Sequence, residues 1–295
     1  MAFQQMVVRW SVAVALVYLH MSASLACAAP GGRLLYLGLT EEGWQVFSRD
    51  LVAGTEVQLT HSKGDKKYPR YAGVTQSVVF RDSEGYVTKV TGDVEERYCP
   101  DWGPCARFVI HPEGNRFYYT WWGPGNRQRH HLWEQSIRNK SPSLSRRSPS
   151  GSFSEIALSP DGSMLVATHL YDVTKERLLL IRLHDDQPME YLTPETYGAV
   201  FPSWSHDGQR VLFSRSVGDA NDDVYEVDIN TRSVSPVVQS RDTSEYRPVE
   251  DGSGRYVFFE RRDERGVVVA CLDRQNGAVE QLDLGREAKE PCWYE

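Results

Sequence analysis

Eleven residues carry most of the side-chain chemistry that this chain could bring to one place: Tyr68, Arg70, Trp102, Arg107, Trp122, His131, Glu155, Phe201, Tyr246, Arg247 and Glu290. Aromatic rings mixed with arginines have the composition of interface hot spots. Glu155, Glu290 and His131 are the residue types for acid–base work on a sugar, if one cleft gathered them. No complete catalytic motif accompanies them. The sequence has no nucleophile elbow, no His-Glu-x-x-His and no glycine loop that would cradle a phosphate. No catalytic residue is therefore assigned.

Metal and cofactor signals are equally thin. His130 and His131 are adjacent near Trp121 and Trp122, but neighbouring residues on a strand point to opposite faces. Asp219-Ala-Asn-Asp-Asp223 resembles a calcium loop yet lacks the glycine and distal glutamate of an EF-hand. It reads as a polar turn. No metal and no cofactor is expected. His111 and His206 fall in turns and are expected at the surface.

The 295 residues carry a net charge of −7 and are 40% hydrophobic and 25% charged. Such a chain is an ordinary globular one, and its acidity argues against nucleic acid as a partner. One stretch is basic: Arg127, Arg129, His130, His131, Arg138, Lys140, Arg146 and Arg147. It reads as a pair of solvated loops.

An internal repeat must position these residues. Phe201-Pro-Ser-Trp-Ser-His-Asp-Gly-Gln-Arg-Val-Leu-Phe213 reads as strand, tight turn, strand, with Asp207 and Gly208 supplying the turn. Pro202 and Phe213 stand eleven residues apart. The same offset joins Pro69 to Phe80, Phe108 to Tyr119, Ile156 to Ala167 and Pro248 to Phe259. Successive units start 39, 48, 46 and 46 residues apart, a period that suits a four-stranded propeller blade. A second hairpin follows each, as in Val224–Asp228 with Ser235–Val238. Pro291-Cys-Trp293 repeats Pro202-Ser-Trp204 and then stops, while Arg33–Tyr36 looks like a second strand without a first. Joined, they complete a sixth blade. The fold class is all-β: a six-bladed β-propeller of four-stranded blades, closed by pairing of the N- and C-terminal strands.

Residues 1–29 form a signal peptide and residues 30–295 the propeller. Arg9 is the only charge before Ala29, Trp10–Leu19 is apolar, and Ala26-Cys27-Ala28 suits signal-peptidase cleavage. The apolar run is short for a membrane span, so no transmembrane span is expected after processing. Lipidation at Cys27, giving a membrane tether, is the alternative. The expected location is periplasmic or secreted. Four cysteines remain in that oxidising compartment. Cys99-Pro-Asp-Trp-Gly-Pro-Cys105 can fold back on itself, so a Cys99–Cys105 disulfide is expected. Cys271 and Cys292 are placed as buried apolar residues.

The Pro-x-Trp-Ser-x-Asp-Gly pattern at Pro202–Gly208, followed by Val224-Tyr225-Glu-Val-Asp228, resembles the TolB-like (PD40, WD40-like) propeller repeat. Ile156–Gly162 is also similar. The resemblance spans nearly all of the mature chain, without the α/β N-terminal domain of TolB. It implies a six-bladed propeller, a fold that mostly binds proteins or ligands.

In such a propeller the loops leading into first strands share one face, here called the loop face. The Asp-Gly turns and both termini lie on the other, the turn face. Ligands are expected over the channel on the loop face, among the eleven residues named above. The expected role is an exported, monomeric binding module that docks an envelope protein or peptide, with a small-molecule or sugar ligand as a further option. Two alternatives are a carbohydrate-active lyase or hydrolase with a channel site, and a structural subunit of an envelope assembly.

Overall fold

Val211, Leu212 and Phe213 are consecutive and all fully buried. So are Leu34–Leu37 and Val257–Phe259. A strand with one wet face would alternate apolar and polar residues; a strand covered on both faces reads as a continuous apolar run. Second strands are therefore sandwiched between neighbouring sheets, as the stacked blades of a propeller require.

The computed structural model describes residues 30–98, 104–121, 130–136, 142–144, 151–172, 175–184, 188–194, 198–216 and 221–295. They form six four-stranded antiparallel sheets. Blade 1 comprises Lys67–Ala72, Ser77–Arg81, Val87–Thr91 and Val94–Arg97. Blade 2 comprises Arg107–Ile110, Arg116–Trp121, His131–Ser136 and Pro142–Leu144, and blade 3 Ser152–Leu158, Met164–Asp172, Lys175–Arg182 and Glu190–Tyr191. Blade 4 is Ala199–Trp204, Arg210–Ser216, Asp222–Asp228 and Val234–Val238; blade 5 is Ser244–Glu250, Tyr256–Asp263, Gly266–Asp273 and Ala278–Gln281. Blade 6 joins the chain ends: Ala288–Tyr294 pairs with Arg33–Thr40, followed by Gly43–Asp50 and Glu56–Gln58. The expected latch is present, with Leu34 opposite Trp293 and Leu35 opposite Cys292.

The apolar core is divided into six parts, one between each pair of adjacent blades. Tyr68 and Val79 meet Phe108 and Tyr119 between blades 1 and 2. Val166 and Leu180 meet Trp204 and Phe213 between blades 3 and 4. The latch blade is held on both sides: Tyr36 and Phe47 pack with Phe258 of blade 5, and Leu35 and Val46 with Phe80 of blade 1. Trp204 is part of the scaffold between blades 3 and 4. Its indole N–H donates to the Ala157 carbonyl of the preceding blade at 3.2 Å.

The turns of blades 3 and 4 share one hydrogen-bond design. Ser205 Oγ donates to Asp207 and accepts the Arg210 N–H at 2.9 Å. Ser159 does the same with Asp161 and the Met164 N–H. Gly162, at φ 74°, supplies the left-handed step. His206 is exposed, as expected. His111 is not: it is 5% exposed and takes the position that Ser159 and Ser205 hold in their turns. Its ring lies against Gly162 of the next blade, where an added Cβ would come within 2.5 Å of it. Burial lowers its pKa and keeps it neutral.

Cys105 is a buried thiol whose Sγ lies 3.9 Å from the Gly85 carbonyl oxygen. Burial pushes it up to about 11. Cys99, its expected partner, lies outside the described residues, so the disulfide stands as a proposal. Non-reducing peptide mapping of exported protein should find Cys99 and Cys105 in one cross-linked peptide; two free thiols would refute it. The expected signal peptide, the Asp219–Asp223 turn up to Ala220 and most of the basic stretch also fall outside the described residues. Among the described residues no helix is long and apolar enough to cross a membrane.

Candidate functional site

Five of the six first strands carry a bulge near their start; that of blade 2, Arg107–Ile110, pairs in unbroken register. Register shifts lie between Lys67 and Arg70, Phe153 and Ile156, Val200 and Ser203, and Tyr246 and Val249, and opposite Leu35–Leu37 in the latch. A bulge sets two residues against one and re-aims a side chain. At four of these sites the re-aimed residue precedes proline and has a left-handed backbone: Tyr68 at φ 56°, Phe201 at 52°, Arg247 at 50° and Glu290 at 53°. Non-glycine residues pay about 1–3 kcal/mol for such angles. A pre-proline residue is also kept from the right-handed helical region by the ring that follows.

Those four, with Arg107 and Glu155 at the matching positions, give one residue per blade around the channel. Read round the ring they are Tyr68, Arg107, Glu155, Phe201, Arg247 and Glu290: aromatic, arginine, glutamate, twice over. The contacts repeat too. The Arg107 guanidinium lies 3.9 Å from the centre of the Tyr68 ring and forms a two-pronged ion pair with Glu155. The Arg247 guanidinium lies 4.1 Å from the centre of the Phe201 ring, 3.9 Å from Glu290 and 3.2 Å from Glu260. Glu290 then accepts the Tyr68 backbone N–H at 2.6 Å, which joins the second half to the first.

The ring is internally satisfied. Burial alone would lower the pKa of Arg107, but Glu155 outweighs it and holds the guanidinium charged. Burial acts likewise on Arg247, and Glu290 and Glu260 outweigh it. Burial raises the Tyr68 pKa. The exposed aromatic and arginine rim expected on the loop face is therefore, at these six positions, a braced inner collar. Tyr68 is 8% exposed and Glu290 6%.

A cavity of about 320 Å³ adjoins the collar. Its walls place it. In every blade the lining residues stand at the collar position or after it: Tyr68, Arg70 and Tyr71, Val109–Ile110, Glu155–Leu158, Phe201–Trp204, Arg247–Glu250 and Glu290–Trp293. First strands run from the loop face to the turn face. The cavity therefore extends from the collar toward the turn face, and Pro160 of a repeat turn lies at its edge.

The remaining expected residues divide. Arg70 lines the cavity. Tyr246 stands on the loop side of the collar, edge-on to Phe201 with ring centres 6.1 Å apart. His131 pairs with Trp121 in blade 2 and is not on the cavity wall. Trp102 and Trp122 lie outside the described residues. All six collar residues were among the expected binding residues; their contacts with one another were not foreseen. The missed signal was the proline after four of them, which marks a constrained backbone at a bulge.

No family model matches the sequence, and no curated protein matches it. Solved structures do. A TolB-type protein of Agrobacterium tumefaciens superposes with a TM-score of 0.68 at 16% identity, covering 87% of this chain and 90% of that one. TolB from Acinetobacter baumannii gives 0.68 at 13% identity, covering 89% of this chain and 66% of that one. An oligogalacturonate lyase from Vibrio parahaemolyticus gives 0.59 at 14% identity, covering 85% and 74%. At these identities the likeness is one of fold, and the chain is a six-bladed β-propeller of the kind seen in TolB.

Proposed function

We propose that this chain is an exported binding module of the cell envelope, and that its ligand, a segment of a partner protein, enters the channel from the turn face. The observation that carries this reading is the cavity of about 320 Å³. Its size falls within the range of small-ligand pockets, about 300–1,000 Å³, and its wall mixes apolar residues with charged ones, among them Arg70, Glu155, Arg247, Glu250 and Glu290. Collar residues line it. Export rests on the targeting segment at residues 1–29, and the TolB-like neighbours support a protein-binding role in general. The arrangement favours binding over acid–base chemistry on a sugar. Glu155 and Glu290 are engaged by Arg107, Arg247 and a backbone N–H, and His131 stands off the cavity.

Filling the cavity tests the reading. Val249 lines the channel and is only partly buried. Val249→Trp should leave the folded propeller intact and cut capture of partners from envelope extract by at least tenfold, as read by quantitative mass spectrometry. Equal capture by a folded Val249→Trp protein would contradict channel binding.

A further inference from the structure

The first strand of every blade is an edge strand: its second strand lies on one side and the channel on the other. Backbone groups along such a strand alternate between the two sides. The turns fix the alternation. Ser159 donates its N–H to the Met164 carbonyl of the second strand at 2.8 Å, and Ser205 and Asp251 bond to Arg210 and Tyr256 in the same way at 2.9 Å. One ladder step back, Ala157 stands opposite Val166 and bonds on that side too. Ile156 and Leu158 therefore turn their N–H and C=O groups toward the channel. Outside the ladder, no hydrogen bond reaches the backbone of either among the described residues. Their side chains do not cover the edge. Ile156 and Leu158 pack into the core between blades 2 and 3, and Ala157 into that between blades 3 and 4.

The six edges are not alike. At the place of Ile156 the other blades hold Pro69, Phe108, Pro202, Pro248 and Pro291. Proline has no N–H to give, and on an edge strand it guards against the pairing of another chain. Four of the six channel edges are guarded in this way. In blade 1 the Arg70 guanidinium also bonds the Pro69 carbonyl, at 2.9 Å. Only blades 2 and 3, which are neighbours, keep a backbone donor at this place. Phe108 is not on the cavity wall, whereas Ile156 and Leu158 both are, and the wall continues from them to Pro160 in the turn. Blade 3 is thus the one blade that presents an unguarded edge to the cavity at this position.

We propose that blade 3 takes an added strand: an extended segment of the partner chain enters past Pro160 and pairs, backbone to backbone, with Ile156–Leu158. This rests on the reading of the channel as the binding site. Donors and acceptors alternating along a strand edge have another extended backbone as their complement, and such pairing supplies affinity through the main chain. Paired strands lie about 4.8 Å apart, so the segment sits against one wall of the cavity. The guarded edges of the other blades leave it one partner strand and hence one position.

The test uses the full protein, immobilised, and a pool of random hexapeptides, acetylated and amidated, against the same pool N-methylated at every residue. Methylation keeps the side chains and removes the donors that strand pairing needs. Retention is measured by mass spectrometry. The ordinary pool should be retained at least about tenfold more strongly, the result of losing two or more hydrogen bonds. Ile156→Pro gives blade 3 the residue that four other blades carry. It should lower retention of the ordinary pool by about fivefold or more, since it removes a donor and sets a ring against the edge. A melting curve shows whether this variant is folded. If it is not, α-hydroxyisoleucine at position 156 decides: it replaces one N–H by an ester oxygen, keeps the side chain, and should lower retention roughly 2- to 10-fold, the span for one hydrogen bond. Equal retention of the two pools, no retention of the ordinary pool, or full retention by a folded protein lacking the Ile156 N–H would overturn the proposal. Failure here is distinct from failure of channel binding: a partner lost on Val249→Trp but insensitive to removal of the Ile156 N–H would keep the channel and remove the added strand.

Discussion

Deleting Glu290–Glu295 should unfold the protein or drive it into aggregates. The deleted segment is most of the inner strand of the latch blade, which spans Ala288–Tyr294. Its loss removes Trp293, whose indole N–H bonds to the Gly31 carbonyl at 2.8 Å, and Tyr294, which stacks on Tyr71 of blade 1 at 4.2 Å. It opens the cores on both sides of blade 6 and bares the Arg33–Thr40 edge, whose apolar run Leu34–Leu37 is fully buried in the closed ring. Each large apolar side chain returned to water costs about 1.5–3 kcal/mol. Several together approach the whole stability of an ordinary domain, about 5–15 kcal/mol, and a bare strand edge recruits other chains. Thermal melts followed by circular dichroism, with size-exclusion chromatography, read the outcome. A monomer with an unchanged melting temperature would show that the ring does not need its latch.

Arg247→Met should cost about 3–5 kcal/mol, the range for removing one partner of a buried ion pair. Glu260 is fully buried and Glu290 nearly so, and Arg247 lies 3.2 Å from the first and 3.9 Å from the second. The methionine restores the stem but leaves both carboxylates short of a cation, with only Arg262 still on Glu260. Adding Glu260→Gln should return part of the loss, because the orphaned charge is then gone. Arg70→Met, a cavity arginine with no ion pair among the described residues, is the control and should be close to neutral. Urea unfolding measures all four proteins. A near-neutral Arg247→Met would mean that the collar is a surface feature and not a brace.

The blade count was legible because scaffold duties repeat. Every blade needs a tight turn after its first strand, so Ser205-His-Asp-Gly208 has recognisable cousins at Ser159 and Asp251. Every blade needs an apolar second strand, so the eleven-residue offset survives. Even the split blade could be read, since Trp293 and Tyr36 keep their repeat positions. The site was harder. The collar residues were picked out as aromatic, arginine and glutamate at the start of first strands, but their types do not say whether they face a partner or each other. That depends on the bulges, which turn Tyr68, Phe201, Arg247 and Glu290 inward, and on spatial neighbours such as Glu260 that belong to second strands. His111 misled for a similar reason: its turn is a surface element, but the next blade brings Gly162 against its ring. Arg70 was seen as one residue of the rim; its isolation became visible only with the carboxylates around it already paired.

The central claim is that a partner occupies the channel from the turn face. The most direct measurement is site-specific photo-cross-linking in envelope extract, with p-benzoylphenylalanine placed at Val249 on the turn side of the collar or at Tyr246 on the loop side. Adducts at Val249, absent at Tyr246 and mapped by mass spectrometry to one partner segment, are the predicted result. Adducts at Tyr246 and none at Val249 would put the partner on the loop face and contradict the account.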